Sequence, residues 1–151
     1  MTELQRLRKL FSDHFDGSPW LDVTIMDTLK DIPASKAAKK IENFNTIWQI
    51  VNHMIAWRET NLKRIKGEIL PSPQNNFFEE VKDTSEEAWQ VTLKKLERSQ
   101  HNMLSFLSLP DDSWFEKIYI ANNNSYYEHL QGILQHDAYH LGQIVLLKKI
   151  I

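Results

Sequence analysis

"TIWQIVNHMIAW", residues 46 to 57, decides the fold class. Thr46 followed three residues later by Gln49 has the form of a reciprocal cap, in which each side chain satisfies a backbone N–H that a helix start leaves orphaned. Beyond the cap the segment is so apolar that the face carrying Gln49, Ile50, His53 and Trp57 must be largely buried. These features predict a helix from Thr46 to about Lys66, stopped by Gly67. Working outward, "LPSPQNN" at 70–76 reads as a loop with two prolines, and Thr84 with Glu87 as a second reciprocal cap. That cap opens a third helix whose Trp89, Leu93, Leu96, Met103, Leu104 and Leu107 recur at helical spacing until Pro110. A fourth begins near Tyr126 and carries Leu130, Ile133, Leu134, Leu141, Ile144 and Leu147 toward Ile150. On the other side, Leu4, Leu7, Leu10 and Phe11 make an apolar stripe on a first helix from Thr2 to His14, ended by "DGSP" at 16–19. Residues 20–31 and the stretch "ASKAAKKIENF" leave room for short helical turns. With four glycines, five prolines and no sustained alternation of apolar and polar residues, the expectation is all-α. The arrangement expected is a four-helix bundle with a long crossover connection at 67–83 and extra short turns, a single domain over residues 1–151.

Composition excludes several functions. Lys plus Arg is 18 and Asp plus Glu 20, a net charge of 18 − 20 = −2, and neither sign forms a run. No nucleic-acid partner is expected, since phosphate backbones demand a basic groove. No window approaches the roughly 20 apolar residues of a membrane span, and "MTELQRLRKLF" is charged throughout, so no membrane association is expected. There is no cysteine. Thiolate nucleophiles and zinc ribbons are therefore out, any metal falls to His and carboxylates, and a cytoplasmic location fits.

Six histidines remain. In "QHDAYHLGQI", residues 135–144, His136 and His140 lie four apart, about 40° in azimuth and one turn along the helix, so both can face one ion. The ordinary alternative is a polar pair at the edge of the core, and for His53 a core histidine bonded to a backbone carbonyl. A mid-helix His in one apolar segment together with a His pair in another favours convergence, because neutral imidazoles each bring an acceptor nitrogen that needs a donor or a cation. A zincin-type site is disfavoured: Asp137 is shorter than the glutamate base of that motif and points about 100° away from His136. Paired Glu-x-x-His segments for a di-iron bundle are absent. His14, His101 and His129 read as solvated or structural, with His129 placed to line a pocket mouth about 10 Å along the axis from His136. Trp48, Trp57 and Trp89 read as core.

"NTIWQIVNHMIAWRE" at 45–59 and "LQGILQHDAYHLGQIVLLKK" at 130–149, with Trp20 and Trp89, closely resemble the DinB-like (DinB/YfiT) superfamily of metalloenzymes. The resemblance implies an up-down-down-up four-helix bundle, often a homodimer, with a divalent metal held by three histidines. At the matching positions these are His53, His136 and His140. It further implies a metal-dependent enzyme acting on a small molecule, foremost a thiol S-transferase using a low-molecular-weight thiol. A metal-dependent hydrolase and a non-catalytic metal-containing binding module are the alternatives. This chain departs from relatives by Leu21-Asp22 after the early Trp and by Asn45-Thr46 before the second helix, positions that bear on substrate contacts and leave the three histidines untouched. Three neutral nitrogen ligands leave a coordination position open, as in catalytic zinc sites. Such a cation lowers the pKa of bound water toward about 7 or deprotonates a bound thiol. Imidazole suits zinc and nickel, the expected metals, and iron and copper as well. Gln143, Tyr139 and Gln49, near the site by azimuth or adjacency, are the candidate catalytic or supporting residues.

Overall fold

The structure, a computed structural model, describes residues 1–109 and 111–151. It is mostly helical: α1 (Glu3–Asp16), α2 (Ile25–Leu29), α3 (Ala34–Ala37), α4 (Ile47–Arg64), α5 (Glu86–Phe106) and α6 (Tyr126–Ile150). Between α5 and α6 lies a hairpin of two short strands, β1 (Ile118–Tyr119) and β2 (Asn124–Ser125), paired antiparallel as Ile118 with Ser125 and Tyr119 with Asn124. The hairpin was not anticipated, but with two residues per strand it leaves the fold class all-α, as expected. The polar "ANNNS" stretch supplies its turn, with Asn123 at φ +60°, and its second strand, whose Ser125 hydroxyl caps α6 in a reciprocal arrangement with Glu128. Asparagine tolerates this left-handed backbone better than most residues.

α4 starts as the sequence indicates. Thr46 Oγ1 accepts from Gln49 N at 3.1 Å, and Gln49 Oε1 accepts from Thr46 N at 3.0 Å. α1 has the same device in Thr2 and Gln5 and runs two residues past His14, to Asp16. The start of α5 is shifted by one residue from the expected cap at Thr84. Ser85 is the cap, its Oγ accepting from Ala88 N at 3.2 Å. Ser85 N is itself held by Asp83 Oδ1, which fixes the chain direction at this residue. The shift puts Glu86 and Glu87 in the first turn, where helix-end amides favour negative charge, and frees the Glu86 carboxylate to accept from Ala34 N at the start of α3. α5 ends at Phe106; its expected terminator Pro110 lies outside the described residues.

Side-chain bonds fix how the helices run past one another. Trp48 donates to Thr92 at 2.9 Å and Arg58 to Gln100 at 2.8 Å, so α4 and α5 run parallel. Asn61 meets His129 at 3.1 Å while His53 meets His136 at 2.8 Å, so α4 and α6 run antiparallel. Gln100 donates to the Phe11 carbonyl and Arg8 to Ser108, making α1 antiparallel to α5. A parallel pair such as α4 and α5 needs a long return connection, and residues 65–85 supply it.

The apolar core has two parts. One gathers Trp48, Val51, Met54, Trp89, Leu96, Leu141 and Ile144; the other gathers Leu4, Leu7, Phe11, Leu62, Met103, Leu130 and Ile133. Between them is a buried polar layer. Arg58 falls between Ile55 and Leu62 on α4, Gln100 between Leu96 and Met103 on α5, and Asp137 between Ile133 and Leu141 on α6, and all three are buried. Among the described residues no helix is long and apolar enough to cross a membrane.

Candidate metal centre

α4 and α6 bring His53, His136 and His140 together. One nitrogen from each ring lies within 4.8 Å of the others, and the Nε2 atoms of His53 and His136 are 2.8 Å apart. Ring centroids are 4.8 Å apart for His53 and His136, 4.6 Å for His53 and His140, and 4.4 Å for His136 and His140. His53 is 1% exposed and His140 is buried, while the His136 side chain, 24% exposed, faces the way out.

The outward nitrogens show what the inward ones are for. His53 Nδ1 is 2.6 Å from the Asn76 carbonyl, which can only accept, so Nδ1 carries the proton and Nε2 presents a bare lone pair to the cluster. His140 Nδ1 is 2.7 Å from Gln143 Oε1, which leaves its Nε2 bare in the same way. His136 Nδ1 is buried without a hydrogen-bond partner among the described residues. Two bare lone pairs in a buried space, joined by a third ring nitrogen, make an acceptor-rich hole that a cation satisfies and apolar packing does not. For an ion with Zn–N distances of about 2.0–2.1 Å, side-chain adjustments on the order of an ångström suffice.

Electrostatics keep the rings ready to ligate. Burial pushes His53 down to about 4, against the opposing pull of its bond to Asn76 and with help from the neighbouring histidines. Burial likewise lowers His140. Both are neutral at neutral pH, as nitrogen ligands must be. Burial pushes the Asp137 carboxyl up, but the Arg58 guanidinium and the neighbouring His136 ring together outweigh it and hold the group below the usual carboxylate range.

A strap from the long connection roofs the cluster. Phe78 stacks on His53 with centroids 4.0 Å apart and planes 8° from parallel, and Phe77 meets Trp57 edge-on at 5.2 Å. Asn76 and Phe77 both have left-handed backbone, φ +51° and +60°. For a phenylalanine this costs on the order of 1 kcal/mol. The conformation is held by the Trp57 indole donating to Asn76 Oδ1 at 2.9 Å and by Phe77 N donating to Asn75 Oδ1 at 3.1 Å. Trp57, packed against the core as expected, therefore also works at the centre, 6.5 Å from the His136 ring.

The other candidates divide. Gln143 supports His140 directly. Tyr139 is largely exposed, its ring 5.1 Å from that of His140. Gln49 is occupied by its cap and by donating to the Glu79 carbonyl, away from the cluster. His129 is buried with Asn61 as partner, His14 is buried near Arg58 and Asp137, and His101 is exposed. Trp20 is 98% exposed. Sequence reasoning missed Asn76, Phe78, Arg58 and Gln100. Only Arg58 left a trace, as a cation inside an apolar helix face.

A family model, that of the DinB superfamily, matches residues 23–144, more than half of the chain and including all three histidines. The chain belongs to the DinB superfamily. Comparison with curated proteins and with solved structures gives no match.

Proposed function

We propose that the protein is a metal-dependent enzyme acting on a small molecule, specifically a transferase that conjugates a low-molecular-weight thiol to an electrophile. The observation that carries this reading is the convergence of three imidazoles from two helices, two of them with the outward nitrogen already tied to an oxygen acceptor. A divalent ion, zinc or nickel in this reading, would supply Lewis acidity that makes a thiol or a water nucleophilic at neutral pH. His53, His136 and His140 would hold it, and the strap residues Phe77 and Phe78 would exclude water beside it. Support for a small-molecule partner comes from a cavity of about 540 Å³ walled by Asn43, Phe44, Ile50, Leu146 and Gln143, the last shared with His140. Helix directions around this site support the finer fold reading, an up-down-down-up bundle forming one domain. A homodimer in the cytoplasm completes the proposal.

A second reading, a metal-containing binding module without catalysis, is favoured by the burial of His53 and His140 under the aromatic strap. One experiment separates the two. Protein purified without chelator is analysed for metal and assayed for conjugation of several cellular thiols to a generic electrophile. The enzyme reading expects about one divalent ion per chain, thiol-dependent turnover, and loss of both in His53→Ala and His136→Ala. Bound metal with no turnover for any thiol supports the module, and undiminished metal in the variants refutes the histidine site.

A further inference from the structure

The polar layer between the two halves of the core touches the histidine cluster at one point. Asp137 is fully buried, and one of its oxygens, Oδ2, accepts from Arg58 Nε at 2.8 Å and lies at the same distance from Arg58 Nη2 as an ion-pair contact. Its other oxygen, Oδ1, has no hydrogen-bond partner among the described residues. His136 Nδ1 has none either, and the two atoms are 3.5 Å apart. A buried ring nitrogen and a buried carboxylate oxygen, each unsatisfied and each facing the other, complete one another by a small rotation of the imidazole. The remaining oxygen is held in place from the far side. Arg58 Nη1 donates to Gln100 Oε1 at 2.8 Å, and Gln100 Nε2 donates to the Phe11 carbonyl at 2.9 Å, so the anchor runs through α4 and α5 to α1.

We infer that Asp137 is the positioning residue of His136. With a cation in the cluster, Oδ1 accepts from His136 Nδ1–H and Nε2 presents a bare lone pair; without one, the 2.8 Å contact to the bare His53 Nε2 draws the proton to His136 Nε2. Arg58 occupies Oδ2 and keeps the carboxylate ionised and aimed. The inference rests on the metal-centre reading given above and completes it: His53 has the Asn76 carbonyl, His140 has Gln143, and Asp137 gives His136 the same kind of outward acceptor. Because Arg58 cancels the carboxylate charge, the cluster gains orientation without a net negative neighbour that would weaken a bound cation's Lewis acidity. Outward acceptors of this kind fix the tautomer and orientation of a ligating histidine, and losing one weakens metal binding about 10–100-fold.

The test reads His136 directly. In zinc-loaded protein labelled with ¹⁵N-histidine, His136 should carry an Nδ1–H that Asp137 Oδ1 protects from solvent exchange. In Asp137→Asn, whose amide can donate as well as accept, that protection should be lost. Zinc affinity by chelator competition should fall about 10–100-fold in the same variant, while Arg58→Lys, which keeps a cation on Oδ2, should retain the protected proton. A freely exchanging His136 Nδ1–H in the wild-type protein overturns the inference whether or not Asp137→Asn folds. So does a folded Asp137→Asn with unchanged protection and zinc affinity, since Asp137 is then only half of a core ion pair. If the protein binds no zinc, the metal reading falls, and the positioning role stands only if His136 takes the Nδ1–H form in metal-free His53→Ala, where its Nε2 has lost the competing partner.

Discussion

At the scale of single residues, the largest commitments in this chain are polar. Arg58 and Asp137 are both buried, and taking two charges out of water costs several kcal/mol apiece before their attraction offsets it. The net stability from the pair is small, but breaking it is not. Arg58→Met strands an ionised carboxylate between two apolar clusters and should cost about 3–5 kcal/mol in urea unfolding. The double variant Arg58→Met with Asp137→Leu removes both charges and should recover most of that loss. A double variant no more stable than the single one would show that the pair is not the unit that matters. This layer was hidden in the sequence for a specific reason. Azimuth along one helix correctly placed His136 and His140 on a shared face and Asp137 off it, but off that face does not mean in solvent. Asp137 turns inward to a partner 79 positions earlier, a separation that no helical period encodes. Trp57 packs against the core as its spacing indicates, and only the strap's asparagine reveals that its indole N–H is in use at the centre.

At the scale of elements, legibility followed capping chemistry. The Thr46–Gln49 pair announced the start of α4 to the residue, and the outcome matters for function because α4 carries His53 into the centre. Thr46→Ala should cost about 1 kcal/mol of stability, measured by denaturant midpoint at unchanged slope. Little loss of zinc affinity should accompany it, since Trp48 and Val51 still anchor the same face in the core. A tenfold affinity loss would mean instead that the cap, not the packing, orients His53. Where two capping signals overlapped, the sequence was ambiguous. Thr84 and Ser85 are both good caps, and the choice fell to Ser85 because Asp83 and Ala34, one local and one distant, offered bonds that fit only that register. The hairpin at 118–125 gave no signal at all, since two residues per strand are too few to show an alternation. The strap at 75–78 was visible as a loop and nothing more. Its left-handed Asn76 and Phe77 are sustained by contacts to α4, so the conformation belongs to the tertiary structure, not to the local sequence.

At the scale of the whole molecule, the buried histidines make acid the natural denaturant. His14 and His129 lie outside the metal centre, and burial lowers both below the 6.5 of an unfolded chain, by desolvation ahead of every other influence. Asp137 pulls His14 back up and Arg58 pushes it down; at His129 Arg64 lowers and Glu128 raises. The sign follows from linkage. A group whose folded pKa is depressed is neutral in the native state at a pH where the unfolded state has already taken up a proton, so acidification favours unfolding. The stability these two histidines leave intact above pH 6.5 is lost as the pH falls below it, and the loss stops once each folded-state pKa is passed. In protein stripped of metal by chelator, the unfolding free energy should be nearly flat from pH 8 to 7 and then decline. His53, neutral in the folded state down to about 4, extends the decline toward that pH. His14→Gln and His129→Gln remove two of the contributors and should make the slope below pH 6.5 shallower, by up to about 1.4 kcal/mol per pH unit for each histidine removed. A slope unchanged in both variants would place the acid sensitivity elsewhere, with the carboxylates that titrate below pH 5. With metal present the same decline should steepen, because the ion binds only unprotonated imidazole and its release adds to the cost of acid.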